Sequence, residues 1–530
     1  MKEKIFNLEN NGDVLHLPVS LEGEKYYVKV CEDDVCVTEL HIALSKDFDA
    51  YFPFYTYTET AKTIKLTVER EDFDELAFDM VVVGGNPLER EDLYPNLYKE
   101  EYRQKVHFSP LRGWMNDPNG LVYKNGEFHF FFQHNPYGRR HGGVNVSWGR
   151  AISKDGVHFK EYPDAIRPTN YKNSIASGSA ILDENNVLGY GKDTIICAFT
   201  DFYTEVFEGR EKGDTKGQYI GYSTDNGKTF TRLTKDPVIL SAPNEHWRDP
   251  KILTLDDGTF VIAVHELFEK KNCVSFYASK NLIDWEFKSR TMDLYECPDF
   301  FRLKVQNTNE KKWVLYGGNG AYRVGDFIDF KFVPENQEVF YVDMALDYPY
   351  AGQTFNSYPS EDFRYYVAWA RESEPDLIIK PAFSQSATII TKLSLHKTKK
   401  GYVIFREPIE TFKTLRKGKG KKFNLKEFKL SIPSDTTIYL NPNEDYTLTA
   451  NGHGFIYNSK TKRVNFSGGK YTDLTKDCDK IPVRIIVDAR SVEYFFNGEA
   501  TASYIFGGEK FFTANKKVKG ITYALKSIWE

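Results

Sequence analysis

The sequence predicts an all-β chain, with a β-propeller of about five blades followed by a C-terminal β-sandwich and preceded by an extra small β module. Three observations point there. Short runs rich in Val, Ile, Tyr, Phe and Thr, punctuated by Gly, Asp and Asn clusters, recur along the chain. Aromatic residues make up 15% of it, which suits pleated surfaces. A turn motif also recurs through the middle of the chain. At 530 residues the chain exceeds one ordinary core, so two or three domains are expected.

Residues 1–95 read as a sandwich-like module. Val14-Leu15-His16-Leu17-Pro18-Val19, Tyr26-Tyr27-Val28-Lys29-Val30, Thr63-Ile64-Lys65-Leu66-Thr67-Val68 and Met80-Val81-Val82-Val83 are β-rich. None of them carries catalytic spacing. Cys31 and Cys36 are near enough to pair, but without a second Cys/His pair at zinc-like spacing the expectation is structural or free thiols. Cys197, Cys273 and Cys478 read as buried free thiols. Gly84-Gly85-Asn86-Pro87 and the charged run to Glu101 form a connector.

The repeat occupies residues 104–400. Ser153-Lys154-Asp155-Gly156-Val157-His158-Phe159 returns as Ser223-Thr224-Asp225-Asn226-Gly227-Lys228-Thr229-Phe230, and again as Ser279-Lys280-Asn281-Leu282-Ile283-Asp284-Trp285. Each copy follows a short strand of aromatic or small residues. The spacing is roughly 45 to 70 residues, about one blade each. Residues 402–415 read as a short linking helix or strand pair, and Lys417-Gly418-Lys419-Gly420-Lys421-Lys422 as a solvated loop. Residues 416–530 return to strands, among them Val483–Val487 and Ser491–Phe496, and are expected to form the second sandwich.

The chemistry concentrates in three acidic motifs within the repeat region. Arg112-Gly113-Trp114-Met115-Asn116-Asp117-Pro118-Asn119-Gly120 is dense in turn formers and sets one carboxylate beside an indole and an amide. Trp247-Arg248-Asp249-Pro250 and Tyr295-Glu296-Cys297-Pro298-Asp299 fall at other repeats. Singly, Asp117 reads equally well as a surface turn, Asp249 as an ion pair with Arg248, and Glu296 as a strand-edge charge. In a propeller, however, the inner ends of successive blades converge on the axis. Two carboxyl groups flanking a glycosidic bond are the usual glycosidase device, and a third can hold ring hydroxyls.

Those motifs, with His107-Phe108-Ser109-Pro110, Phe132-Gln133-His134-Asn135-Pro136, Ser177-Gly178-Ser179, Ala351-Gly352-Gln353-Thr354-Phe355 and Asp488 to Gly498, resemble glycoside hydrolase family 32, the family of invertases, inulinases and levanases. The resemblance covers about 104–530. It implies a five-bladed propeller and sandwich, and a retaining β-fructosidase acting on fructans of levan or inulin type, fructo-oligosaccharides or sucrose. Asp117 matches the nucleophile, Glu296 the acid/base and Asp249 the transition-state stabiliser. Asn116, Trp114, Gln133, Trp148, Ser177 and Arg248 match sugar-contacting positions. No metal or cofactor is implied. To act as an acid near neutral pH, Glu296 needs surroundings that raise its pKa. Fructosyl transfer, or fructan binding without turnover, would use the same scaffold.

The sequence departs from the family pattern in the pocket walls. The loop Tyr137-Gly138-Arg139-Arg140-His141-Gly142-Gly143-Val144 lacks the usual Trp, and Ala176 stands where an aromatic is common. Ile390-Thr391 falls where the family has Pro-Arg. A more open pocket follows, with the basic loop expected to lie mainly in solvent. A net charge of −5 with no basic stripe argues against nucleic acid. No apolar run reaches the ~20 residues that span a membrane. Met1-Lys2-Glu3-Lys4-Ile5-Phe6 leads into no signal peptide, so the sequence as it stands reads as cytoplasmic, and a trimmed exported chain would look the same. Nothing in it sets an oligomeric state.

Overall fold

A computed structural model describes the chain apart from residues 11–12, 170–172, 204–214, 241–246, 293, 336–337, 346–348, 373–380 and 506–509. It is almost entirely β. Five sheets follow one another from Gly113 to Pro408. Their first strands are Gly113–Lys124, Asn173–Leu182, Arg248–Thr254, Asp299–Lys304 and Tyr350–Thr354. Each touches the next, and the fifth touches the first, so the five line a closed ring. This is the five-bladed propeller. A short strand, Phe383–Ser384, crosses back and pairs in parallel with Gly113 and Trp114 of the first sheet.

The sequence repeat is one turn used three times, after the third strand of each of the first three sheets. Ser153 Oγ accepts from Gly156 N at 2.9 Å while Asp155 Oδ1 accepts from Val157 N and His158 N at 2.9 Å. Ser223 with Asp225, and Ser279 with Asn281, do the same for their turns. A hydroxyl and an Asx side chain thus satisfy the backbone of the bend. The fourth sheet has no such motif because it turns through Asp329 and Phe330, both with positive φ, the tight hairpin that matches strand twist. Its fifth counterpart turns at Lys399 and Lys400. The segment expected to link domains instead completes the fifth sheet as strand Gly401–Pro408, followed by the 3-10 helix Glu410–Leu415.

The N-terminal residues form two small sheets, of four and three strands, over one apolar core. Cys31 and Cys36, near enough in sequence to pair and expected to be structural or free thiols, are joined as a disulfide across the hairpin of Tyr26–Glu32 and Val35–Ile42. The register sets them opposite one another, with Cα atoms 3.8 Å apart. Cys197 and Cys273 are buried and free as expected, while Cys478 is half-buried.

Residues 421–524 form one ten-stranded sheet. It curls over its own core, since Tyr494 Oη donates to His453 O at 2.6 Å although their strands lie far apart in the sheet order. A buried ionic cluster fastens it to the propeller. His107 reaches Asp488 from Nδ1 at 2.8 Å and Glu493 from Nε2 at 3.2 Å, and Asp488 also accepts from Lys105 N and Val106 N. Burial lowers the pKa of His107, but its two carboxylate partners outweigh that and push it up to about 9.

Candidate active site

The first strand of a propeller sheet needs a reason to turn its side chains toward the axis, and here four of the five carry a register break where they reach it. The breaks fall between Met115 and Pro118, Ile175 and Gly178, Arg248 and Lys251, and Tyr350 and Gln353. An inserted residue bends a strand and re-aims what it carries. The residues within these breaks include Asn116, Asp117, Ala176, Ser177 and Asp249. Asp249 adopts φ 63, and Cys297, before the fourth first-strand, adopts φ 49. Backbone held there by its surroundings is strain kept at a site.

The result is one pocket of about 540 Å³ at the ring axis, lined by Trp114, Asn116, Asp117, Gln133, His141, Ser177, Arg248, Asp249, Glu296, Cys297, Tyr350 and Trp369 among others. Asp117 Oδ2 accepts from Ser177 Oγ at 2.7 Å. Asp249 Oδ2 accepts from Cys297 N at 3.1 Å and lies 3.5 Å from Arg248 Nε. Arg248 donates from Nε to Glu296 Oε2 at 3.0 Å, with a second bond from its terminal nitrogen, and the Tyr350 hydroxyl donates to Oε1. Cys297 Sγ sits between the aspartates, 3.6 Å from Asp117 Oδ2 and 3.4 Å from Asp249 Oδ2. The three acids therefore meet in one place. Farther along the same first strands Lys251 and Asp299 pair at 2.7 Å in full burial, and Lys251 Nζ also donates to Thr354 O.

Electrostatics divides the acids. Burial raises Asp117, opposed by hydrogen bonds from Ser177 and Asn116 and reinforced by the charge of Glu296. Burial pushes Asp249 up to about 7, against Arg248 and with the help of Asp117 and Glu296. Glu296 goes the other way. Burial would raise it, but the Arg248 charge and the bonds from Tyr350 and Arg248 prevail and hold it low. The expectation that its surroundings raise Glu296 is thus reversed in the protein by itself. Asp117, Asp249 and Cys297 are the set among the described residues able to ligate a cation, with their ligating atoms within 4.8 Å of one another. Burial and the adjacent carboxylates keep the Cys297 thiol far above its usual pKa, which opposes thiolate ligation.

Of the residues expected to contact sugar, Trp114, Asn116, Gln133, Ser177 and Arg248 line the pocket. Trp114 Nε1 donates to Asn116 Oδ1 at 2.9 Å. Gln133 donates to Ile175 O at 2.6 Å, which leaves its buried Oε1 with no protein partner. Trp148 does not line it. It pairs with Gln133 across the sheet but lies one strand farther from the axis, fully buried, with Nε1 donating to Ala176 O at 2.9 Å. The second sheet closes over it, and its ring packs against Gly120, where an added Cβ would come within 2.8 Å. Sequence reasoning missed Tyr350 and Trp369, whose rings stand edge to face at 6.2 Å, with Trp369 also edge-on to Trp114. The one signal was Tyr350 preceding the Ala351-Gly352-Gln353 motif. His141, expected in a solvent loop, is exposed yet reaches the pocket mouth.

A family model described as "Glycosyl hydrolases family 32 N-terminal domain" matches residues 107–408. A levanase of Bacillus subtilis is 32% identical over 502 residues, covering 82% of this chain and 72% of that protein. An extracellular exo-inulinase of Aspergillus niger is 32% identical over 316 residues, 51% of this chain and 58% of that protein. The match to an invertase of Schizosaccharomyces pombe, 36% identical over 300 residues, spans 52% of this chain and 49% of that relative. Among solved structures, exo-inulinase from Aspergillus awamori superposes with a TM-score of 0.72 at 24% identity, over 82% of this chain and 100% of that one, a likeness of fold.

Proposed function

The chain belongs to glycoside hydrolase family 32, and from that premise we propose that it cleaves β-fructofuranosyl linkages in fructans, fructo-oligosaccharides or sucrose with retention, through a covalent fructosyl-enzyme. The observation that carries this reading is the meeting of Asp117, Asp249 and Glu296 in one pocket, with Arg248, Asn116 and Gln133 offering donors and acceptors around them.

A fructosyl ring entering the pocket exchanges hydroxyls for the protein's own contacts. Asp249 and Arg248 bind ring hydroxyls, and Gln133 Oε1 gains the donor it lacks. As Arg248 turns to the sugar, Glu296 loses part of the charge that holds it ionised, and its pKa rises toward that of a useful acid. Asp117 attacks the anomeric carbon while the glycosidic C–O bond breaks, and the proton on Glu296 passes to the leaving oxygen. Water then gives a proton to Glu296 and its oxygen to the anomeric carbon, releasing Asp117. The Ser177 hydroxyl and the Asn116 amide stabilise Asp117 as an anion before and after.

Incubation with levan, inulin and sucrose, followed by chromatography, tests the activity. Release of fructose or fructo-oligosaccharides is expected, and silence on all three sinks the reading. Product analysis at high sugar concentration separates hydrolysis from transfer, which share the intermediate.

A further inference from the structure

The loop of residues 136–146 forms one wall of the pocket through His141, Gly143, Val144 and Val146. At its base Tyr137 packs against the apolar core of the N-terminal module. Behind the loop lies a cavity of about 920 Å³ between the propeller and the N-terminal module, lined in part by Tyr137 and Asn145 of this loop and by Thr38, Leu40, Tyr55 and Tyr57 of the module. With a cavity beside it, the rest of the loop beyond Tyr137 is placed by discrete bonds.

Those bonds come from two sides. At the start of the loop, Asn135 Nδ2 donates to Arg140 O at 2.8 Å and to His141 O at 3.2 Å. At its end, the buried Asn145 spans to the module. Its Oδ1 accepts from His41 N at 2.9 Å and its Nδ2 donates to His41 O at 3.0 Å, a side chain pairing with a backbone as a neighbouring strand would. Between the two anchors, Gly142 and Gly143 both take positive φ. From Asn145 the path to the active site is short. Val146 O accepts from Ile175 N at 3.1 Å, and Ile175 O accepts from Gln133. Arg139 adds a contact to Glu22 of the module at 3.5 Å. His141, carried on this bridge, is exposed and lines the same pocket as Asp117 and the other buried acids.

We propose that the N-terminal module is a specificity element, which through the His41–Asn145 pair fixes the 136–146 loop so that His141 contacts the sugar unit on the leaving side of the scissile bond. The proposal rests on the fructosidase reading above. A fructosyl ring bound among the buried acids places its leaving group toward the exposed side of the pocket, where the loop stands. The module then acts on how the rest of a chain is held and leaves bond cleavage to the acids.

Asn145→Gly tests this, because glycine suits the positive φ of 64 at that position while deleting both bonds to His41. Steady-state kinetics would compare a fructo-oligosaccharide of several units with methyl β-D-fructofuranoside, whose leaving group is too small to reach His141. The expected result is a KM about tenfold higher for the oligosaccharide, with kcat within twofold and the methyl fructoside unaffected. Asn145→Asp, which keeps the acceptor for His41 N, should restore part of the loss. His141→Ala should raise the oligosaccharide KM at least as much as Asn145→Gly does, and the double variant should add little to His141→Ala alone. Thr38→Val, which removes a module–propeller bond to Pro168 O outside the loop, controls for general loosening and should leave the ratio between substrates unchanged. Equal loss on both substrates, or an unchanged ratio in Asn145→Gly, overturns the proposal. Wild-type inactivity on both would instead remove the fructosidase reading beneath it.

Discussion

Arg248 is bonded through its guanidinium to Glu296, and its charge bears on the protonation of both Glu296 and Asp249. Replacing the cation removes the main force holding Glu296 below its ordinary pKa, and removes the chief opposition to the raised pKa of Asp249. In Arg248→Met the alkaline limb of the kcat/KM–pH profile, set by loss of the Glu296 proton, should therefore move to higher pH. Activity should fall by at least roughly tenfold as a sugar contact is lost. An alkaline limb that stays in place or moves down would show that Glu296 is not the titrating acid.

Asp117→Asn keeps the shape of the side chain and removes its nucleophilicity. Turnover should fall by roughly three orders of magnitude or more, with thermal stability kept or raised, since the native carboxylate is buried among like charges. A variant with near wild-type kcat would reassign the nucleophile.

Trp148→Phe should be a stability variant and leave turnover almost intact. It deletes the bond to Ala176 O behind the pocket wall and leaves that carbonyl without its donor, a cost of about 1–3 kcal/mol. Thermal denaturation should show the loss, while KM for fructo-oligosaccharides stays within about twofold. A large KM effect at unchanged melting temperature would return Trp148 to the sugar-contacting set.

His107 makes the propeller–C-terminal interface pH-dependent. Its pKa in the folded protein, about 9, lies above its ordinary value near 6.5. The stabilisation it contributes is thus complete below about pH 6.5 and is lost as pH rises through 9. Melting temperature should decline across that window, and His107→Gln should flatten the decline at the expense of overall stability. A wild-type curve level from pH 6.5 to 9.5 would contradict the charged state of this imidazole.

The propeller was legible because three of its sheets make the same bend with the same Ser and Asx side chains. The fourth and fifth were silent because a tight hairpin needs no such residues. Asp117 and Asp249 were legible for a related reason. Each lies beside proline within a register break, and Asn119-Gly120 follows the first, so the backbone leaves a visible mark. Trp148 shows what such marks omit. Gln133 and Trp148 are cross-strand partners facing the same way, and only the distance of each strand from the axis decides which meets the pocket and which the core. Tyr350 and Trp369 were hidden because an aromatic in a strand reads as core whichever way it faces. The protonation of Glu296 depended on where Arg248 pointed, which spacing does not encode.

The parallel pairing of Phe383–Ser384 with Gly113 and Trp114 has a consequence for synthesis. A ribosome delivers residues in order, so the sheet carrying Asp117 emerges first of the five and waits at one edge for a partner made only after four sheets and the start of the fifth. Asp488 and Glu493, which clasp His107, emerge later still. The nucleophile's own strand is thus among the last parts of the ring to be locked in place, and a nascent chain holds all three acids before it has the frame that makes them a site.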